Sequence, residues 1–207
     1  MNVRPTFDDT EDSRRNFSVY YIPDGHRRYA SRKRCSLGVA YQLGAKVLVD
    51  EVILPLLQSK DVASLTVFCL SNVNLSVREN AELKSFIDVG HDILKLLIKR
   101  CQKFASVRTV GSYLKTNIYI TCAKTNPAFR LTLIIGSTID DDLGLAPVDI
   151  FIRSGGGLRL SGTPRQLIGD YTEFYKIKNL HPTVKSAAIL DCIRQYKCRY
   201  KSKTDRV

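Results

Sequence analysis

The chain has 207 residues, of which 32 are Lys or Arg and 20 are Asp or Glu, so its formal net charge is +12 at pH 7. Hydrophobic residues make up 44% and charged residues 25%, values typical of a globular protein that exclude disordered and collagen-like chains. No apolar run reaches the roughly 18 residues of a transmembrane helix, and residues 1–15 lack the apolar stretch of a secretory signal. The basic excess predicts an anionic partner: nucleic acid, a phosphorylated small molecule or an anionic membrane.

Hydrophobic patterning predicts one domain over residues 16–200, between a flexible tail at 1–15 and a basic tail at 201–207. Short β-rich runs alternate with helical patterns, which favours an α/β fold with a mainly parallel central sheet flanked by helices. The predicted strands are, in chain order, 17–22, 64–70, 107–110, 117–122, 130–135 and 148–152. The predicted helices are 39–57, which Pro55 would kink or end, 79–104, 164–171 and 183–200.

The clearest helix is 79–104, because its apolar residues recur at spacings of three and four. The residues of this stripe are Leu83, Phe86, Ile87, Ile93, Leu94, Leu97 and Ile98. Such a stripe fits either the wall of an apolar cleft or plain core packing, and the sequence leaves both interpretations open.

Several features argue against other chemistries. The six cysteines contain no CxxC pair and no histidine stands at zinc-site spacing, so we expect reduced thiols of a cytoplasmic protein. The acidic run 140–142 lacks the second half of a diphosphate-metal motif and is typical of a solvated loop. No serine-hydrolase elbow is present.

The first candidate site follows strand 17–22, at residues 23–28, where a helix should begin. Ligands of open parallel sheets bind at the carboxyl ends of strands, and a helix N-terminus offers unpaired N–H groups to phosphate. Arg27 and Arg28 add guanidinium donors, and Asp24 could hold Mg²⁺ against the same phosphate. The pattern also fits an Asp-Gly turn followed by a solvated basic helix.

The second candidate site follows strand 148–152 and runs from Arg153 to Gly162. Its three consecutive glycines would leave backbone N–H groups free to form an anion nest. A diphosphate could then be bound by Arg153, Arg159 and Ser161. Thr163 stands where a P-loop requires Lys, so the segment is not a P-loop, and a flexible glycine turn is the alternative interpretation.

Together these segments resemble the signatures of the cis-prenyltransferases, the family of undecaprenyl diphosphate synthase. The D-G-N-x-R-W-A signature is similar to residues 23–30, and the family's second, glycine-containing signature is similar to residues 145–161. The S-x-x-N loop, the E-L-Y/F segment and the R-x-x-x-R end of the family correspond to residues 71–74, 173–175 and 194–200. The resemblance therefore covers roughly residues 17–76 and 145–200.

The resemblance implies a Mg²⁺-dependent prenyltransferase that joins an allylic diphosphate, such as dimethylallyl diphosphate, to a second isoprenoid diphosphate. It implies catalytic roles for Asp24, His26 and Asn74, with Mg²⁺ held by Asp24 and Glu173. The residues that it implies for diphosphate binding are Gly25, His26, Arg27, Arg28, Arg153, Arg159 and Ser161. It also implies a homodimer, and it assigns the basic charge to diphosphates rather than to nucleic acid.

The chain departs from the family at several positions. His26 and Tyr29 replace the usual Asn and Trp, and the segment between Ile135 and Leu145 is too short for the family's loop and helix. We therefore expect one wall of the site to be rebuilt or supplied by a second subunit.

Other departures bear on the product. Leu37 and Tyr41 stand where chain-elongating members carry Arg and His, and Gly157 stands where they carry Glu. The lavandulyl-type branch, which couples two five-carbon units head to middle, is more similar in three features: Pro23 before Asp24, the pair Arg27-Arg28, and Tyr41 after Ser36-Leu37. We expect a short product, with a regular cis chain-elongating synthase or a catalytically silent partner subunit as the alternatives.

Overall fold

The computed structural model describes residues 17–72, 76, 80–101, 105–111 and 129–204. The predicted tail at 1–15 and the predicted strand at 117–122 lie outside these residues. None of the helices in the described part of the chain is long and apolar enough to cross a membrane.

A parallel sheet of six strands forms the centre of the described structure, in the order β3-β4-β2-β1-β5-β6. Its strands are β1 (Phe17–Ile22), β2 (Val62–Leu70), β3 (Ala105–Val110), β4 (Phe129–Ile135), β5 (Val148–Arg153) and β6 (Ile168–Lys176). The predicted α/β class is confirmed.

The helices are α1 (His26–Lys33), α2 (Leu37–Val47), α3 (Leu54–Gln58), α4 (Asn80–Cys101) and α5 (Ser186–Thr204). A wider π-helical segment, Leu48–Ile53, joins α2 to α3. Pro55 lies in the first turn of α3, where its missing N–H is tolerated. The predicted helix 39–57 is therefore confirmed, with its irregular turn just before the proline.

The central strands are buried on both faces, as their continuous apolar runs predict. Along β1, Val19 and Tyr21 face the core that includes α5, whereas Tyr20 and Ile22 face a second cluster with Phe151. Successive side chains of a strand point to opposite faces, so this alternation fixes the register of the sheet.

The predicted helix 164–171 is wrong. Arg165–Leu167 forms only a short 3₁₀ turn, and β6 begins at Ile168 and pairs with β5 along the edge of the sheet. Thr172 stabilises this pairing, since its hydroxyl donates to the carbonyl of Val148 at 2.6 Å. The segment is rich in aromatic and β-branched residues, a signal for a strand that the helical interpretation missed.

Candidate active site

The two candidate segments leave the sheet side by side. Strands β1 and β5 are parallel neighbours, and Ile22 pairs with Arg153 at their carboxyl ends. The Nη2 group of Arg153 donates to Oδ2 of Asp24 at 2.6 Å, although the two residues are 129 positions apart in the sequence. The structure therefore joins the predicted sites into one.

Arg153 is the buried anchor of this site, with 4% of its surface exposed. Its Nη1 group donates to the hydroxyl of Ser161 at 2.6 Å and to the carbonyl of Arg159. Its Nε is buried and has no hydrogen-bond partner among the described residues, which is rare for a buried polar atom in a folded protein. Such an orphaned donor is consistent with a site that is completed by an anion.

A second arginine holds the other side of the Asp24 carboxylate. Nη2 of Arg28 lies 3.3 Å from Oδ1 of Asp24, and its Nη1 donates to the carbonyl of Gly155 at 2.6 Å. The backbone N–H of Asp24 donates to the hydroxyl of Ser154 at 2.9 Å. These contacts tie the start of α1 to the loop that follows β5.

Two glycines allow this close approach. Gly25 has a φ of 114°, and a Cβ there would lie 2.8 Å from Cδ2 of Leu180. Gly155 has a φ of 84°, and a Cβ there would lie 2.7 Å from Nη2 of Arg28. Any side chain at either position would separate the segments that form the site.

The anion nest predicted for the glycine run is wrong for its first two residues. The N–H of Gly155 donates to the carbonyl of Asn179 at 2.7 Å, and the N–H of Gly156 donates to that of Ile177 at 3.1 Å. These donors are therefore used within the protein. The glycines shape the loop, and arginine side chains supply the charge.

One polar cavity of about 640 Å³ collects the predicted ligands of the diphosphates. Asp24 lines it together with every residue that was predicted to bind diphosphate: Gly25, His26, Arg27, Arg28, Arg153, Arg159 and Ser161. Four arginines thus face one aspartate, so the cavity attracts anions. We call this cavity the mouth.

A smaller apolar cavity of about 110 Å³ adjoins the mouth. Its lining includes Leu48, Phe86, Val89 and Leu133, from the α2–α3 connection, α4 and β4. The stripe on helix 79–104 therefore supplies a wall through Phe86, which confirms the cleft interpretation for that residue. The side chains of Ile93, Leu94, Leu97 and Ile98 lie outside the described residues.

His181 is bonded to three of the segments that form the site, and no sequence signal identified it as a site residue. Its Nε2–H donates to the carbonyl of Gly44 at 2.9 Å, and its Nδ1 accepts from the hydroxyl of Tyr21 at 2.8 Å. Its backbone N–H donates to the carbonyl of Asp24 at 2.9 Å. Burial, assisted by the nearby His26, lowers the pKa of His181 to about 3, so this ring is neutral at pH 7.

Tyr41 and Glu82 form a second contact that the sequence did not reveal. The hydroxyl of Tyr41 donates to Oε1 of Glu82 at 2.8 Å, which joins α2 to α4. Nε of Arg27 lies 3.5 Å from the same oxygen. The sequence shows that Tyr41 departs from the family, but it does not show the contact with Glu82, which lies 41 positions further along the chain.

Glu173 is a predicted site residue that does not line the mouth. Glu173 lies on the same face of β6 as Tyr175, opposite to the face of Arg153, and its carboxylate contacts the Tyr175 hydroxyl at 2.9 Å and Arg199 at 3.3 Å. Asn74 lies outside the described residues. The metal-binding role of Glu173 and the catalytic role of Asn74 stay predictions.

Of the described residues that line the mouth, Asp24 is the one that offers a carboxylate to a metal ion. Among the described residues, no three His, Cys, Asp or Glu side chains are grouped closely enough to hold an ion. The side chain of Asp24 is 27% exposed, and Mg²⁺ commonly binds one or two carboxylates together with substrate phosphates and waters. The donor set therefore fits a magnesium ion that arrives with a diphosphate.

Comparison with known proteins gives relatives in both sequence and fold, although no family model matches the chain. The chain is 28% identical to Isoprenyl transferase 2 of Tropheryma whipplei (strain Twist) and 27% identical to Isoprenyl transferase 1 of strain TW08/27. Each alignment covers 89% of this chain and 86% of the relative.

A solved structure has the same fold. The crystal structure of lavandulyl diphosphate synthase from Lavandula x intermedia, in complex with dimethylallyl diphosphate, matches with a TM-score of 0.77 at 22% identity. The match covers 91% of this chain and 98% of that one, and it confirms the predicted fold.

Proposed function

We propose that this chain, which by its sequence and its fold belongs to the cis-prenyltransferase family, is a prenyl diphosphate synthase that joins an allylic diphosphate to a second isoprenoid diphosphate. The observation that carries the proposal is the ionic cluster of Asp24, Arg28 and Arg153 in a polar cavity that adjoins an apolar one. Such a cluster suits a substrate with a charged head and an apolar tail.

The mouth supplies the electrostatic part of the reaction. Negative charge develops on the diphosphate as it leaves the allylic carbon, and fixed positive groups stabilise it where it appears. Arg28, Arg153 and Arg159 line the space in which that charge would form. Magnesium, when held by Asp24 and the diphosphate oxygens, would add a further positive charge at the leaving group.

The apolar cavity supplies the other part, because the allylic cation must be kept from water. Its volume of about 110 Å³ is small. For comparison, an apolar cavity of about 150 Å³ in another protein binds benzene, which has six carbons. We therefore propose that it takes one five-carbon tail and that the product has ten carbons.

The coupling that we favour is the irregular, head-to-middle type. Tyr41, one of the lavandulyl-like features of the sequence, lines both cavities. The fold match to a lavandulyl diphosphate synthase supports the same choice. Regular coupling to isopentenyl diphosphate is the alternative.

We also propose that the chain acts as a homodimer in the cytoplasm. Strand β6 is an edge of the sheet, and it exposes 69% of Tyr171 and 40% of Phe174. An edge strand with exposed aromatic residues is a surface that a second copy can cover. The free thiols among the described cysteines fit a reducing compartment.

Product analysis tests the function. Purified protein with Mg²⁺ should be given dimethylallyl diphosphate alone, isopentenyl diphosphate alone and both together, and the products identified by mass spectrometry and NMR after dephosphorylation. We expect a ten-carbon diphosphate from dimethylallyl diphosphate alone, with its carbons joined head to middle. A product only when both are present would overturn the irregular coupling, a longer product alone would overturn the proposed length, and no prenyl diphosphate product in any mixture would overturn the function.

A further inference from the structure

Tyr41 forms the boundary between the mouth and the apolar cavity. It lines both cavities and is only 5% exposed. On one side its ring lies 5.1 Å from the ring of His26, and on another it meets Phe86 edge to face at 5.5 Å. The ring is therefore packed between α1 and α4.

Glu82 fixes the position of that ring. The Tyr41 hydroxyl donates to its Oε1 at 2.8 Å, and the Glu82 side chain is only 16% exposed. Hydrogen bonds to a charged acceptor are stronger than those between neutral groups. Since the ring is packed and its hydroxyl is bonded, Tyr41 has little freedom to move aside.

The same carboxylate reaches the mouth. Nε of Arg27, whose side chain is 61% exposed, lies 3.5 Å from Oε1 of Glu82, and Arg27 lines the polar cavity. One carboxylate thus contacts both the boundary ring and an arginine that we expect to bind diphosphate. In the proposed complex, Glu82 therefore positions both the arginine at the diphosphate and the tyrosine ring beside the prenyl tail.

We propose that Tyr41, positioned by Glu82, determines the length of the prenyl tail that the protein accepts. This inference rests on the proposed function. A tail that enters the apolar cavity must pass the residues common to both cavities, and Tyr41 is the largest of them. Removal of its ring joins the two cavities into one, so that a longer tail can enter.

Binding of unreactive analogues tests the proposal. Calorimetry with Mg²⁺ should compare inorganic pyrophosphate with the thiolodiphosphates that carry a dimethylallyl or a farnesyl tail. We expect the unaltered protein to prefer the short tail by about tenfold or more, the scale on which apolar pockets discriminate small differences in size. Tyr41→Ala should bring the two affinities within about threefold of each other and leave pyrophosphate affinity within about twofold.

Two milder variants test the hydrogen bond between Tyr41 and Glu82 without removing the ring. Tyr41→Phe keeps the ring and loses the hydrogen bond, and Glu82→Ala removes the acceptor. Both should lower the preference for the short tail by about two- to fivefold, in the range of one hydrogen bond. These variants decide the question if Tyr41→Ala does not fold, because neither leaves a large void.

Tyr196→Ala is the matched control. Tyr196 is a buried tyrosine of α5 that packs edge to face on Phe17 at 5.0 Å, and it is not among the residues of these two cavities. Its truncation should lower the melting temperature and leave the tail preference unchanged.

The outcomes separate the two proposals. A folded Tyr41→Ala protein with the original preference, or an equal change in the Tyr196→Ala control, overturns the inference alone. Absence of pyrophosphate binding by the unaltered protein overturns the proposed function, and the inference with it.

Discussion

The mouth adjoins the apolar cavity, but different interactions hold the residues of the two regions in place. In the mouth, guanidinium and carboxylate groups lie within hydrogen-bond distance, as between Arg153 and Asp24 at 2.6 Å. In the apolar cavity, rings and aliphatic side chains of α2 and α4 pack, as between Tyr41 and Phe86 at 5.5 Å. One region depends on a few charged contacts and the other on many weak ones.

This difference predicts how each region responds to change. Removing one partner of a buried ion pair leaves the other charge uncompensated, which costs several kcal/mol. Changing one wall of an apolar cavity alters the fit by smaller steps. Substitutions in the mouth should therefore lower turnover strongly, whereas those around the apolar cavity should change stability or selectivity.

The largest expected effect is that of Asp24→Ala. Loss of the carboxylate removes the proposed metal ligand and leaves Arg153 without its partner at 2.6 Å. Losing one hydrogen bond to a charged group typically costs about 1.5–3 kcal/mol, so turnover should fall roughly 10- to 150-fold. The measurement is the steady-state rate of ten-carbon product formation over a range of Mg²⁺ concentrations.

Asp191→Ala provides the control for this loss. Asp191 also pairs with an arginine, Arg194, at 3.1 Å, but on the exposed face of α5. Exposed pairs contribute little, so its turnover should stay within about twofold of the unaltered protein. If Asp24→Ala retained full turnover, the mouth would not be the site of reaction.

A smaller effect is expected from two glycines that line the apolar cavity. A Cβ at Gly44 would lie 2.2 Å from Nε2 of His26, whereas a Cβ at Gly90 would meet none of the described atoms within 4 Å. Alanine in a helix is otherwise favoured over glycine by about 1 kcal/mol. Gly90→Ala should therefore raise the melting temperature, and Gly44→Ala should lower it, since overpacking typically costs about 1–3 kcal/mol.

Thermal unfolding of the two variants side by side makes the comparison. Equal increases in melting temperature would contradict the packing of His26 against α2, because the helix preference would then be the only effect present. The pair is well matched, since Gly44 and Gly90 both lie in helices and face the same cavity.

Much of the mouth could be predicted because its signals are local. The turn at Gly25 and the glycine run after Arg153 each follow an apolar strand directly in the sequence. Parallel strands bring their carboxyl ends to one edge, so the convergence of Asp24 and Arg153 follows from the fold class. The same reasoning could not show that the N–H groups of Gly155 and Gly156 are used by Asn179 and Ile177, because those bonds depend on how the next loop returns.

The apolar cavity was harder to predict because its contacts join distant segments. Tyr41 and Glu82 lie on different helices, and neither shows its partner in the local pattern. The helix predicted over 164–171 overlaps the start of β6 and is wrong for a similar reason, because pairing with β5 decides the conformation of that strand. That strand also determines the face on which Glu173 lies, and so the position of this predicted ligand could not be read from its motif.

The last prediction concerns the pH dependence of stability and tests His181, which lies beside the mouth. The pKa of His181 is about 3 in the folded protein and about 6.5 when unfolded, because burial disfavours the charged ring. Below pH 6.5 the unfolded chain binds a proton that the folded chain does not, so stability falls with pH by at most about 1.4 kcal/mol per unit. His181→Gln keeps a donor for Gly44 and removes this titration. Urea unfolding between pH 7 and 5 should therefore show a shallower loss of stability in the variant, whereas parallel curves would mean that folding does not lower the pKa of this ring.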